Sequence, residues 1–279
     1  MLKAGRRRMN SEHGWRRRES ACVLVMLFVA ALLTMSCAST QEVVLDDDEM
    51  FHLASKKLYM SEHGGFIWGI IHSKEESQAL ELFNKLLDKY PGSRHAREVQ
   101  MLLGDIQFAK KRYEEAEAEY TSFLRFYPSD AEAQKAQFRL LLTFARRIKA
   151  YDRDQSFTHK ALDACKQYRQ KYPGGQFTPH VAVIERGARA MLGMHEFYVG
   201  RFYYRRHKYA AAISRLEGVL SDYSDTEAAA KALLYLAKTD LKLEKRDDAR
   251  RKLQQLINEY PGAHWANNKA RRLLKALSP

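Results

Sequence analysis

The feature that most constrains this chain is a Tyr-Pro dipeptide found at Tyr90-Pro91, Tyr127-Pro128, Tyr172-Pro173 and Tyr260-Pro261, with Tyr223-Ser224 in the same role. Twelve residues before each Pro (or Ser224) stands an alanine: Ala79, Ala116, Ala161, Ala212 and Ala249. Eight before it stands Phe83, Tyr120, Cys165, Leu216 or Leu253, and five before it Leu86, Phe123, Tyr168, Val219 or Leu256. Offsets of four and three residues put these side chains on one face of a helix. The small Ala marks where a second helix crosses closely. Pro closes the helix, because it disfavours helical geometry in the residue before it. Twenty-four residues upstream of the Pro position, Gly104, Gly200 and Ala237 are again small, as a close crossing by the partner helix requires.

Antiparallel helix pairs repeating in this way resemble tetratricopeptide repeats, whose period is ~34 residues. The intervals between the tyrosines are 37, 45, 51 and 37, so loops or helices are lengthened, mostly in the third and fourth repeats. Residues Ala150 to Ser156 interrupt the third pair. In the fourth, a helix is expected from about Pro179 to His207, with Pro179 suited to its first turn. Segment 64–71, apolar with three glycines, reads as a loop inserted in the first repeat, either docking on a neighbour or the membrane surface or folded over its own repeat. A last helix from Ala263 to Leu277, with Arg271, Arg272 and Lys275 near its end, supplies the solvating cap such arrays need. The expected fold is all-α, a right-handed α-solenoid of five tetratricopeptide-like helix pairs with a C-terminal capping helix. Repeats one and two occupy 50–128, repeat three with its inserted loop 129–175, and repeats four and five with the cap 176–279.

The formal charge of +13 invites a nucleic-acid reading until it is localised. Residues 1–36 hold seven Lys and Arg against two Glu, and the fifteen residues Ala21–Met35 carry no charge. That run is short for a spanning helix, which needs ~20 apolar residues. A basic segment followed by an apolar run of this length reads as a secretory signal. It ends in Leu33-Thr34-Met35-Ser36-Cys37, which resembles a bacterial lipoprotein signal, with Thr34 standing where that family prefers Leu. The resemblance implies that Cys37 becomes the first mature residue and carries lipid; simple cleavage or an uncleaved anchor are the alternatives. Ala38 and Ser39, with no Asp, imply sorting to the outer membrane. Residues 37–49 read as a tether ending in an acidic helix start. Without residues 1–36 the charge is +8, from 40 Lys and Arg against 32 Asp and Glu. Cys165 is then the one cysteine besides Cys37, so an oxidising compartment imposes no intrachain disulfide.

Catalytic patterns are missing. His195-Glu196 opens like a zinc protease motif, but Val199 stands where the second imidazole is needed on the same helical face. His195 and Glu196 are read as making buried polar contacts within or between repeats. Cys165 falls on a core position and is read as a small apolar filler. In Asp152-Arg153-Asp154, the Arg between two Asp is expected to brace a long loop. No enzyme, cofactor or metal is expected. Binding would use the groove lined by the first helix of each pair. There the second repeat presents Glu98, Met101, Asp105 and Phe108, an apolar and adaptable set for a peptide with an aromatic end, unless Phe108 packs on the next repeat. The fourth presents Phe197, Arg201, Tyr204 and Arg205, and the fifth Leu234, Lys238, Leu241 and Lys242. This basic and aromatic surface fits an acidic partner domain, although solvated helix faces explain many of the Lys equally well.

A lipoprotein signal before five such repeats resembles the BamD family, lipoproteins of the β-barrel assembly machinery of Gram-negative outer membranes. Two blocks carry the resemblance: Asp152-Arg153-Asp154-Gln155 in the third repeat, and His195 to Tyr203 with Gly200, followed by Arg206 and Tyr209 to Ala212, in the fourth. Ser224 in place of Pro, His207 in place of the usual Gly, and segment 64–71 depart from the family pattern. The resemblance implies a lipid-anchored protein on the periplasmic face of the outer membrane. Its C-terminal repeats would dock the periplasmic domains of BamA, with Arg206 in that contact, and its N-terminal repeats would meet unfolded outer-membrane barrel proteins. Other assembly lipoproteins are implied partners and nucleic acid is not. A cell-envelope or peptidoglycan-coordination adaptor of the same repeat type is the alternative.

Overall fold

The computed structural model describes residues 44–63 and 69–277, and these contain eleven α-helices and no strand. The chain divides into two units at Asp46/Asp47, and all eleven helices belong to the second. The signal segment, Cys37 and the tether up to residue 43 lie outside the described residues, as do residues 64–68. In chain order the helices are α1 (Asp47–His63), α2 (Gly69–Lys89), α3 (Ala96–Ala109), α4 (Tyr113–Phe126), α5 (Ala133–Ala145) and α6 (Ser156–Lys171). They continue as α7 (Thr178–Arg205), α8 (Tyr209–Asp222), α9 (Glu227–Lys242), α10 (Arg246–Glu259) and α11 (His264–Leu277). Helix α1 takes up Asp47, Asp48 and Glu49 in its first turn, where the helix dipole favours negative charge. Gly69 to Ile71 belong to the first turn of α2 and are helical rather than loop, a correction to the inserted-loop expectation.

Consecutive helices pack as five pairs, α1/α2 to α9/α10, with α11 against α10 and α9. First helices of successive pairs also pack together (α3 with α5, α5 with α7, α7 with α9), whereas the second helices stand further apart, α4 and α6 being bridged by the Lys160–Glu117 ion pair at 3.1 Å. This arrangement follows from the repeated positions in the second helices. All fifteen of them, from Ala79, Phe83 and Leu86 in α2 to Ala249, Leu253 and Leu256 in α10, have no solvent exposure. Full burial of each Leu, Val or Phe in this set stabilises by about 1.5–3 kcal/mol. The facing small residues are equally necessary. A Cβ added at Gly104 would lie 2.6 Å from Tyr120 Cε1, and one at Gly200 would lie 2.8 Å from Leu216 Cδ2.

The Tyr-Pro junction is one hydrogen-bond pattern used five times. Each tyrosine donates its N–H to the carbonyl four residues back: Tyr90 to Leu86, Tyr127 to Phe123, Tyr172 to Tyr168, Tyr223 to Val219 and Tyr260 to Leu256, at 2.8–3.1 Å. Each tyrosine carbonyl then accepts from the residue three ahead, at 2.9–3.2 Å. Tyr223 keeps this pattern although Ser224 follows it; there Thr226 Oγ1 donates a further bond to the Tyr223 carbonyl at 2.8 Å. The turn inside a pair is different. Lys111, His207 and Glu244 adopt left-handed φ of 61°, 57° and 63°. The residue after each donates to a carbonyl five back (Arg112 to Gln107, Lys208 to Tyr203, Lys245 to Asp240), which closes the first helix as a Schellman cap. His207 therefore takes the conformation that Gly usually fills.

The helix spacing predicts opposite outcomes for two Gly→Ala changes. In an open helix this change gains about 0.5–1 kcal/mol. Gly187 in α7 is exposed with nothing near its Cβ position, so Gly187→Ala should raise the melting temperature. Gly104→Ala should instead cost about 1–3 kcal/mol, the usual effect of overpacking. Thermal unfolding followed by circular dichroism tests both, and stabilisation by Gly104→Ala would contradict the close crossing.

Candidate functional site

Helix α7 is twice the length of its partner α8 because nothing interrupts it between Pro179 at its start and the cap at Arg206. Its N-terminal half packs Val181 against Leu141, Ala161 and Tyr168 of the third repeat. Arg189 then clasps the junction after α8, donating to the Asp222 carbonyl at 2.7 Å and, from Nε, to Asp225 Oδ2 at 3.0 Å. This hydrogen bond holds the Asp225 carboxyl below the usual carboxylate range. The C-terminal half buries Phe197 and Gly200 against α8. Its remaining face, Tyr198, Phe202 and Arg206 at four-residue spacing, is left outward.

That face holds exposed aromatics beside cations. Phe202 is 48% exposed and Tyr198 37%. The Arg206 guanidinium lies 5.3 Å from the Phe202 ring centre, and that of Arg201 lies 5.7 Å from Tyr198 and 6.0 Å from Phe197. Arg205 and Arg206 are exposed and Arg201 is half-buried. Among the described residues, the ion pairs of α7 are Glu185–Arg169, Arg189–Asp225 and Glu196–Arg215, so none of these three arginines meets a carboxylate. Tyr204 turns to α8 and α9 instead, with ring contacts to Tyr209 and Tyr235, and burial pushes its phenol up. Leu234 is fully buried and belongs to the core, a correction to the expected groove set; Lys238 is half-buried and Lys242 exposed.

The loop between α5 and α6 completes this face. At its start Arg147 donates to Glu117 at 2.7 Å and Glu114 at 2.9 Å and covers the Phe157 ring at 3.7 Å. At its end Gln155, 7% exposed, donates to the carbonyls of Ala150 and Arg153 and accepts from Thr158 Oγ1. Asp154 accepts from Ser156 Oγ at 2.7 Å, which lowers the pKa of its carboxyl. Gln155 is the brace, not the expected Arg153, whose exposed side chain, like that of Asp152, forms no ion pair among the described residues. The loop so held places the Tyr151 carbonyl 2.6 Å from His195 Nδ1, which donates to it, and the Tyr151 ring 5.7 Å from Tyr198. His195 and Glu196 do make polar contacts between and within repeats, but both are half-exposed rather than buried. Tyr151, Tyr198 and Phe202 were not among the expected binding residues. The four-residue spacing of Tyr198 and Phe202 carries a sequence signal; Tyr151 reaches them from 47 residues away in sequence and carries none.

In the second repeat the expected groove set separates. Met101 is 7% exposed and packs with Ala116, Tyr120, Phe123, Ala133 and Ala136, so it is core as much as surface. It lines, with Asp105, Leu102 and Phe123, a cavity of about 370 Å³ rimmed by Arg97, Glu98, Glu132 and Lys135. Asp105 accepts from the Tyr120 hydroxyl at 2.6 Å and pairs with Arg139 at 3.3 Å. Phe108 lies outside that cavity, edge-on to Tyr113 at 5.6 Å. Cys165 is fully buried, and loss of hydration pushes its thiol up to about 12, which leaves it a poor nucleophile. Removing the brace should loosen the aromatic face: Gln155→Ala is expected to cost about 1–3 kcal/mol and to speed amide exchange at 150–156. Unchanged exchange there would show that Gln155 does not hold Tyr151 in place.

Comparison with known proteins places this surface in a family context. The family model YfiO, described as an outer membrane lipoprotein, matches residues 70–252. The outer membrane protein assembly factor BamD of Rickettsia prowazekii (strain Madrid E) is 25% identical over 206 residues, covering 74% of this chain and 82% of the relative. The same-named protein of Neisseria meningitidis serogroup A is 24% identical over 251 residues, covering 85% and 92%. The matched stretch takes in α7 and the loop that carries Tyr151.

Proposed function

This chain belongs to the YfiO family of outer membrane lipoproteins, and from that premise we propose that it is a lipid-anchored periplasmic scaffold, held at Cys37, that binds BamA and unfolded barrel precursors. Its role is that of an outer membrane protein assembly factor, as in its relatives. It works by binding alone, without covalent chemistry. The observation that carries the BamA contact is the cation–aromatic face at the end of α7. Arg206 is held over the exposed Phe202 ring and, among the described residues, forms no ion pair with a carboxylate. An Arg fixed in this way pays little entropy on docking and offers a planar fork to an acidic side chain, the arrangement of an interface hot spot. The Tyr151 and Tyr198 rings extend the contact with apolar area. Arg201, Arg205 and Tyr204 flank it. Unfolded precursors are assigned to the N-terminal repeats, around the cavity that Met101 and Asp105 line.

Two measurements test this reading. Arg206→Glu should reduce capture of BamA periplasmic domains by roughly thirtyfold or more, as expected for a hot-spot residue. The exposed position should leave the melting temperature unchanged. Depletion of the chain should lower barrel proteins in the outer membrane. Intact capture by Arg206→Glu would remove α7 from the interface, and normal barrel levels on depletion would refute the assembly role. Separately, Cys37→Ser should abolish incorporation of labelled palmitate and release the chain from membranes; continued labelling would refute the anchor.

A further inference from the structure

Counting from the Tyr-Pro register exposes a difference between repeats that the packing of the second helices does not explain. Thirty-one residues before the Pro (or Ser224) position stand Arg97, Gly193 and Ala230, in the second, fourth and fifth repeats. Two residues after it stand Asp130, Thr226 and Ala263. In the second repeat the two positions form an ion pair, Arg97 Nη1 donating to Asp130 Oδ2 at 2.8 Å. In the fourth they close on each other, since a Cβ added at Gly193 would lie 2.9 Å from Thr226 Oγ1. In the fifth, Ala230 and Ala263 instead line a cavity of about 670 Å³, within the range of ligand pockets. This cavity lies between the junction before α9 and the junction before α11. None of the groove positions Leu234, Lys238, Leu241 and Lys242 lines it, and no residue of the outward α7 face does.

The walls of the cavity are fixed by bonds of their own. The Tyr260 hydroxyl donates from one junction to the other, to the Ser224 carbonyl at 3.0 Å. Asn267, 3% exposed, donates from Nδ2 to the carbonyls of Tyr260 and Pro261 at 2.8 and 3.1 Å. Asp225, Glu227 and Glu259 line the cavity against the Lys231 ammonium and the His264 imidazole. Arg189 matches Asp225, and Lys231 matches Glu227 at 3.0 Å. Glu259 is exposed, accepts from Gln255 Nε2 at 3.1 Å, and forms no ion pair among the described residues. Burial, together with the charges of Glu259 and Asp225, pushes the Tyr260 phenol up, so the potential at that ring is negative. The Trp265 ring is 50% exposed and is ordered by Lys269 Nζ at 4.0 Å. A carboxylate without a counter-charge beside aromatic rings suits a guanidinium, which is planar, weakly hydrated and stacks on such rings. We propose that this cavity receives an arginine side chain from a basic polypeptide segment of a partner, with the guanidinium on Glu259 and its plane against Trp265. It would fill the space that the Arg97–Asp130 pair takes up at the same register of the second repeat.

The test uses the intact chain purified in detergent, carrying Trp15→Phe and Trp68→Phe so that Trp265 is its one indole. The probe is a fluorescent peptide of Ala, Ser and Arg. One control replaces each Arg by citrulline, which keeps the shape and loses the charge; another replaces each Arg by Glu. Anisotropy should show the Arg peptide binding about tenfold or more tighter than the citrulline peptide, as a charge-assisted contact requires, with a shift in Trp265 emission. Glu259→Gln, at an exposed position, should weaken the Arg peptide by about tenfold and leave the citrulline peptide unchanged. Ala263→Met fills the cavity and should abolish the emission shift while the helical circular dichroism spectrum is kept. Equal binding of the Arg and citrulline peptides would overturn the proposal, as would full affinity in Glu259→Gln. Arg-peptide binding that leaves Trp265 emission unchanged would overturn it too, by placing the contact elsewhere. Tighter binding of the Glu peptide would overturn it in favour of an anion at the starts of α9 and α11, where the helix dipoles are positive. No BamA enters the measurement, so this contact and that of Arg206 can fail separately.

Discussion

Everything in this array depends on how closely the two helices of a pair can approach. In the second and fourth pairs a small residue on the first helix faces a large one on the second, as Gly104 faces Tyr120 and Gly200 faces Leu216. A single methyl group at Gly104 would collide with the Tyr120 ring. Because the approach is closest there, the fifteen repeated positions of the second helices lose all exposure. The same hydrogen bonds at every Tyr junction then end each second helix in the same way before the next pair begins. Stability in such an array is a sum over pairs and their neighbours. The deep positions are consumed by packing, and function is left to the turns and to the first helices.

Helix α7 shows how that rule leaves an outward face. A helix of ordinary length is used up by its own partner and the next repeat. At 28 residues, α7 spends its first half on the third repeat and on the Arg189 clasp, and its second half on α8 and α9. The last two turns still have an outward side, and there Tyr198, Phe202 and Arg206 line up. The long loop before α6 has the same logic. Arg147 and Gln155 pin both its ends, so Tyr151 is presented rather than free. Length added to a repeat has become surface that the core does not need.

The period of the second helices was legible because each of their three marked positions has a single use. First helices were harder to read, since one side packs on the partner helix and another on the next first helix. Met101 and Leu234 illustrate this: both fall at groove positions by counting, yet Met101 is 7% exposed and Leu234 is fully buried. Counting gives the angle around a helix but not how far the neighbouring repeat reaches over it. In the Asp152–Gln155 loop, charge drew attention to Arg153, whereas the uncharged Gln155 has the geometry to satisfy two loop carbonyls at once. Segment 64–71 was misjudged at its end because Gly69 weakens a helix signal without preventing a helix start. The αL turns at Lys111 and Glu244 were invisible for the opposite reason, since no residue type there announces positive φ, and at His207 the turn was marked by the Gly of the family pattern rather than by the residue present.

The net charge of +13 has little meaning as a total, because its parts have different partners. Many cations on the second helices and loops meet carboxylates, as Arg147 meets Glu114 and Glu117 and Lys252 meets Asp240. Those charges are satisfied within the fold and contribute little to long-range attraction. For Arg206 at the end of α7, Lys238 of α9 and Lys269 of α11 the partner is an aromatic ring instead. A ring holds a cation in place through its quadrupole while leaving the charge intact. A carboxylate would hold it equally well but cancel it. An Arg or Lys over a ring is therefore both ordered and still attractive to an anion, and it loses less side-chain entropy on binding than a free one would. The attraction this end of the array exerts on an anion is thus set by where the rings stand, not by how many basic residues the chain contains.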